Sequence, residues 1–226
     1  MLLCYLNASL CVIQKSNISL LIKLSSFKEI WILNCAEGCQ FNIINQGSKI
    51  NNLSKIILTN LHISNISGLL GLLSSLNLIG RTKSLHLYGP TGLKYYLDCG
   101  KKYSRTNFNY VIYLHVLKTG LIVNHYGCRI YAFYSKSCSE FIFVKSEQYG
   151  TFFLDKARSN YLAPGPLYGK LKKGMSFLLP DGSIFDGIKL TSQNIVGSHL
   201  NCLTDNFYRR KVVENVFSTN HYYLSL

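Results

Sequence analysis

The residues from Asn60 to Asn65, Asn-Leu-His-Ile-Ser-Asn, come nearest in type to a catalytic centre in this chain. His62 is the one member that can hold a metal ion or move a proton near neutral pH. Its neighbours are weaker. A neutral amide oxygen, as on Asn60 or Asn65, is a poor ligand for a borderline-soft ion that prefers imidazole nitrogen and thiolate. The hydroxyl of Ser64 cannot replace a carboxylate as charge balance or proton acceptor. With no second ligand beside it, His62 could hold one weak ion at most, and a hydrogen-bonded structural role is the commoner outcome. His86, His115, His125, His199 and His221 lack any partner spacing and read as structural.

A second kind of chemistry is basic. Lys170, Lys172 and Lys173, with Tyr168 and glycines among them, form an element able to touch RNA phosphates and stack a base. A solvated turn rich in lysine is the bland alternative. Lys101, Lys102 and Arg105 beside Tyr103, and Arg209, Arg210 and Lys211 beside Tyr208, are further basic clusters that read more simply as wet surface. The 8 cysteines contain no Cys-x-x-Cys pair, which argues against a zinc ribbon or redox motif. Cys35 and Cys39 straddle a strand-to-helix junction and read as small apolar thiols.

The elements that must position these groups follow from period and punctuation. Alternating or continuous apolar runs predict strands over Leu2–Leu6, Ser19–Leu24, Glu29–Asn34, Lys55–Thr59, Ser84–Tyr88, Val111–His115, Ile122–His125, Cys128–Tyr134, Phe141–Lys145 and Thr151–Leu154. Helices are predicted over Glu37–Asn45, Gly68–Ile79, Thr91–Asp98 and Phe207–Phe217. Pro90 suits a helix start, where its missing N–H would have had no partner. Early strands alternating with helices suit a sandwich covered by helices, an α/β class built as one domain over residues 1–226. A chain of 226 residues is long enough to bury a proper core.

Hydrophobic residues at 48% and charged residues at 15% exclude a disordered tail. The most apolar run, Ile66 to Gly80, is too short to span a membrane and carries Ser and Asn, and Met1 to Ile13 lacks the basic start of a signal peptide. Net charge of +14 favours a polyanionic partner such as nucleic acid. The abundance of Lys, Asn, Ile, Tyr and Phe also fits an A+T-rich genome, which adds lysine without selecting a function. That bias points to an organelle-encoded product, and without a transit peptide the plastid stroma comes first, with a bacterial or apicoplast-like cytoplasm behind it.

Several segments together resemble one family. Ser54 to Ser75, with Thr59-Asn60-Leu61-His62-Ile63-Ser64-Asn65 and Gly68-Leu-Leu-Gly71-Leu-Leu, resembles the Thr-His-Leu-His-Gly-Asp-His strand end and Gly-Leu-Pro-Gly-Leu-Leu helix of the RNase Z (tRNase Z) family, which has the metallo-β-lactamase fold. Trp31-Ile-Leu-Asn34-Cys35-Ala36-Glu37-Gly38 resembles that family's Phe-Asp-Cys-Gly-Glu-Gly, and Leu6-Asn7-Ala8-Ser9 its Leu-Gly-Thr-Gly. Gly80 to Leu93 and Leu162 to Gly174, with Ala163-Pro164-Gly165-Pro166-Leu167-Tyr168-Gly169-Lys170-Leu171-Lys172, follow the family with little departure.

The resemblance implies an αββα metallo-β-lactamase-like fold, incomplete at the C-terminus, because Leu226 falls where the family's last His-bearing motif begins. It implies two zinc ions in the family's active members and a set of places for their ligands. Here those places carry His62, Asn60, Asn65, Ser137 and Asp205, and the family's catalytic Asp falls on Ser64. Only His62 and Asp205 keep a ligand, so the expectation is no resident metal and no hydrolysis. tRNA or precursor tRNA is the implied partner, held in part by Tyr168, Lys170, Lys172 and Lys173, and a homodimer is possible. The competing expectations are an active zinc-dependent tRNA 3′ endonuclease with an altered site, a non-catalytic partner or scaffold, and a decaying reading frame.

Overall fold

The computed structural model describes residues 2–5, 19–24, 28–125, 127–134, 139–178, 182, 184–203 and 221–225. In chain order the elements are β1 (Leu2–Tyr5), β2 (Leu20–Leu24), β3 (Glu29–Leu33), α1 (Cys39–Asn45), β4 (Leu53–Ile57), α2 (Ile63–Ile66), α3 (Leu69–Leu78), β5 (Leu85–Gly89), α4 (Leu93–Ser104), β6 (Ile112–Val116), β7 (Gly120–His125), β8 (Cys128–Tyr134) and β9 (Ser139–Lys145). They continue with α5 (Leu154–Ser159), α6 (Leu167–Lys172), β10 (Ser176–Leu178), β11 (Ile184–Asp186), β12 (Ser198–Leu203) and β13 (His221–Ser225). Two compact units result, one of residues 1–144 with 199–226 and one of residues 145–198.

The larger unit is layered. Its first sheet runs β1-β2-β3-β4-β5-β6, parallel from β3 to β6, and its second runs β13-β12-β9-β8-β7. Strands of the first sheet are apolar without alternation, Glu-Ile-Trp-Ile-Leu in β3 and Leu-Ser-Lys-Ile-Ile in β4, as parallel strands covered on both faces must be. Ile30, Ile32, Ile56, Leu85 and Leu87 face the helices, meeting Ile43, Leu69, Leu72, Leu76, Leu93 and Leu97. Trp31, Leu33, Ile57 and Tyr88 face the second sheet, meeting Ile130, Phe141, Phe143 and Leu200. Helix, sheet and sheet are three layers of the expected αββα sandwich. The fold is thus of the metallo-β-lactamase type.

The smaller unit holds α5, α6 and the antiparallel β10–β11 ribbon around Ala157, Leu171 and Leu190, all buried. Here the sequence misleads in two places. No strand forms over Thr151–Leu154: Phe152 makes one bridge to Thr191 and Leu154 opens α5. The Lys170 to Lys173 segment, read as a basic element touching RNA or as a lysine-rich solvated turn with no helix expected, lies at the end of α6, which Pro166 starts without spending an N–H. Helix α4 also runs on past Asp98 to Ser104, six residues beyond the expected end, because Gly100 fits against the Leu70 side chain and lysines complete the last turn. The expected helix Phe207–Phe217 lies outside the described residues.

Candidate functional site

The loop after β4 packs across the end of β3. Asn34 leaves β3 in the left-handed region at φ 58, which Asn tolerates better than most residues, and is buried. Its Oδ1 accepts from Thr59 N and Thr59 Oγ1, both at 3.0 Å. Backbone bonds then tie the short α2 to the strand end, Cys35 N to Asn65 O at 2.7 Å and Gly68 N to Cys35 O at 2.9 Å. This close approach explains the glycine. A Cβ at Gly68 would overlap the carbonyl oxygen of Ala36.

Within the loop the side chains satisfy one another. Asn65 Nδ2 donates to Asn60 Oδ1 at 2.8 Å and to Thr59 Oγ1 at 3.3 Å, while His62 N donates to the same Asn60 Oδ1 at 3.0 Å. His62 caps α2, its Nδ1 accepting from Ser64 N at 3.4 Å and lying 2.7 Å from Ser64 Oγ. That pattern is an Asx-turn joined to a helix cap, local chemistry that Asn, Ser and His favour wherever they are not otherwise engaged. Asn60, His62, Ser64 and Asn65 are therefore together, as expected from the sequence, and partly open to solvent. Ser137 and Asp205 lie outside the described residues. Among the described residues no three His, Cys, Asp or Glu side chains gather as a cation site.

Strand register assembles a second polar group that the spacing did not reveal. Parallel pairing sets His86 against Tyr113 and Tyr88 against His115, so His86 Nδ1 lies 3.0 Å from His115 Nε2 with the rings stacked 5.3 Å apart. Toward β3, Glu29 takes Ser54 Oγ at 2.8 Å, Lys55 Nζ at 3.8 Å, Trp31 Nε1 at 3.3 Å and His125 Nε2 at 3.3 Å. Burial pushes the Glu29 carboxyl up, but the Ser54 hydroxyl, the Lys55 charge and the other donors outweigh it and hold the group below its ordinary range. Burial, the Lys55 charge and the neighbouring imidazoles of His115 and His125 lower His86, with Glu29 opposing. No periodicity within one strand could have announced a pairing between His86 and His115, 29 residues apart.

In the smaller unit, Lys170, Lys172 and Lys173 are exposed at the end of α6, and Leu171 is the residue that anchors it. Tyr168 is less available than expected. Its hydroxyl donates to Leu162 O at 2.6 Å and its ring lies 4.9 Å from that of Phe152. The most exposed aromatic among the described residues of this unit is Tyr161, 98% accessible and held at φ 56, with Tyr149 also exposed. A cleft of about 440 Å³ opens beside α6, lined by Lys172, Lys173, Tyr149, Ser192, Gln193 and Asn194 among others. Among the described residues no helix is long and apolar enough to cross a membrane.

No protein-family profile matches the chain. Ribonuclease Z of a Nostoc species is 33% identical over 205 residues, covering 87% of this chain and 62% of the relative. The ycf56 protein of Pyropia yezoensis is 38% identical over 178 residues, covering 77% of this chain and 68% of the relative. Among solved structures, the long-form RNase Z from yeast aligns at 19% identity with a TM-score of 0.48, over 92% of this chain and 30% of that one. The chain spans about 62% of the length of the ribonuclease Z relatives it matches. With the ligand-place loop, the Gly-Pro segments and the sequence relatives in agreement, the chain belongs to the ribonuclease Z and ycf56 family of the metallo-β-lactamase fold.

Proposed function

We propose that this chain is a non-hydrolytic RNase Z relative that binds tRNA or its precursors. The observation that carries the reading is the loop network. At the family's ligand places the described side chains are one imidazole with Nδ1 already bonded, two amides and a hydroxyl, each engaged with another. That donor set does not fit a pair of zinc ions, which in the family would supply the hydroxide nucleophile. The Asn60 and Asn65 amides fill by hydrogen bonding the room that a cation would need. Retention of RNA is supported by the net charge of +14 and by the exposed Lys172 and Lys173, which line a cleft beside α6. That the RNA is a tRNA is what membership of the ribonuclease Z family implies.

Metal analysis of the purified protein and a precursor-tRNA assay with added zinc or manganese test the first half. We expect no stoichiometric ion and no removal of the 3′ trailer, and a tightly held ion pair with trailer release would replace this reading by the active-enzyme one. For the second half, binding of tRNA is followed as salt rises. Replacing Lys170, Lys172 and Lys173 by Gln together should flatten the log–log salt slope by roughly 2 to 3, about one unit for each phosphate no longer neutralised. An unchanged slope would take α6 out of the interface, and no binding at low salt would favour a protein partner.

Two companions of the reading have their own support. A homodimer is favoured by the exposed apolar side chains of Phe41 and Ile44 on α1 and Leu78 and Ile79 at the end of α3. Sedimentation of the wild type against Phe41→Lys with Leu78→Lys tests it: a dimer that becomes a monomer is expected. A plastid location is supported by likeness to ycf56 of Pyropia yezoensis and Porphyra purpurea and to cyanobacterial ribonuclease Z. Fractionation with an antibody against the chain would check it.

A further inference from the structure

A small cleft lies at the end of the first sheet opposite the His62 loop, where β3 and β4 begin. It has a volume of about 290 Å³ and is lined by Lys23, Lys28, Lys49, Ser48, Asn52 and Glu29 together with Leu24, Ile30 and Gly47. Its chemistry is that of an anion receptor. Three lysines line it from different parts of the chain, Lys23 from β2, Lys28 from the turn before β3 and Lys49 from the segment after α1. Lys23 Nζ donates to Gln46 O at 3.1 Å, which fixes its head group at the rim. The carboxylate among them is already matched, because Glu29 is held by Lys55, Ser54, Trp31 and His125.

The decisive atom is Ser48 Oγ. Ser48 is 92% buried, since its accessibility is 8%, and its hydroxyl has no hydrogen-bond partner although the residue lines the cleft. A buried hydroxyl left unpaired is costly, and such a group calls for a partner that the chain itself does not supply, a ligand or an ion among them. A serine hydroxyl without a partner and three lysines around one cleft suit a tetrahedral oxyanion, which takes an O–H donor at one oxygen and charge-assisted N–H donors at the others. We propose that this cleft binds a phosphate dianion, either inorganic phosphate or a terminal phosphate monoester. The volume, about 290 Å³, admits phosphate together with waters or part of an attached ribose, and the site shares no residue with the His62 loop or with α6. The phosphate is free in solution or terminal on an RNA, and both present the same group.

The full-length protein, with inorganic phosphate as probe, decides the matter. Thermal unfolding in phosphate is compared with chloride at equal ionic strength, because a ligand of the native state raises the midpoint with concentration. The wild type should be stabilised progressively by phosphate. Lys28→Gln with Lys49→Gln, both at exposed positions, should weaken the apparent affinity about tenfold or more. Ser48→Ala should match or exceed the wild-type midpoint in chloride and lose most of the phosphate response. A wild type indifferent to phosphate overturns the proposal, and so does an equal response in the double lysine variant. A second arm compares a 5′-phosphorylated RNA oligonucleotide with its 5′-hydroxyl twin. A preference for the phosphorylated form that the Lys28, Lys49 variant abolishes assigns the site to RNA ends; equal binding of the two, beside a response to inorganic phosphate, assigns it to free phosphate.

Discussion

At the scale of residues, the loop after β4 is held by amides that bond one another and their neighbours. Asn34 is the pivot, since both donors of Thr59 end on its Oδ1. Asn34→Ala should therefore cost about 2 kcal/mol or more, the order expected when buried donors lose their acceptor, with the left-handed backbone adding to the loss. Urea unfolding of the two proteins measures this, and a difference under about 0.5 kcal/mol, the size of a plain surface change, would mean that the network adds nothing to stability. The cysteines divide at the same scale. Cys35 and Cys39 are buried with sulfurs 3.1 Å apart, and hydrogen bonding with burial raises the Cys35 thiol well above its ordinary value. Cys99 is exposed. Brief alkylation of the native protein, read by peptide mass spectrometry, should label Cys99 and spare Cys35 and Cys39 until denaturant is added, because burial shields both sulfurs from the reagent.

At the scale of elements, two glycines of one helix region should behave oppositely. Gly68 sits against Ala36 O at the mouth of α3, so Gly68→Ala has to push backbone aside and should cost about 1–3 kcal/mol or more. Gly71 lies within α3, exposed, and a Cβ there would meet only the Gln40 side chain, its Nε2 at 3.5 Å. Gly71→Ala should stabilise by about 0.5–1 kcal/mol, the usual helix gain over glycine. Thermal midpoints moving in the same direction would refute this account of the junction. The elements themselves were largely legible. Strands β2 to β9 fall where apolar runs predicted them, within a few residues, because each is long enough to carry its own pattern. The smaller unit was not legible: α5 and α6 have six residues each, and the β10–β11 ribbon has three per strand. Such pieces are held by tertiary packing on Leu171 and Leu190 and carry no period of their own. The ligand-place loop was legible through its motif, whereas the His86 and His115 pair and the lysine cleft depend on strand register and chain return, which a sequence read in order does not display.

At the scale of the whole molecule, stability should fall on acidification for two separable reasons. The first is local. His86 has its pKa lowered in the folded protein, by burial first and then by Lys55 and its imidazole neighbours. The unfolded chain therefore takes up that proton first, and stability is lost as pH falls through the ordinary imidazole value near about 6.5 and on toward the folded value. Glu29, also lowered, adds its loss at a more acidic range, as pH falls below its unfolded value toward its folded one. The second reason is global, since a chain of net charge +14 gains further positive charge with every proton bound. Salt tells them apart. Self-repulsion over the surface is screened within a Debye length of about 8 Å at physiological ionic strength, but two imidazoles 3.0 Å apart are not. Urea midpoints between about pH 7.5 and 5.5 should thus decline in both low and high salt for the wild type, and His86→Gln should flatten the decline that survives in high salt while leaving the Glu29 limb intact. A pH dependence that high salt removes altogether, or that His86→Gln leaves unchanged, would assign acid sensitivity to overall charge alone and leave the imidazole pair with a packing role.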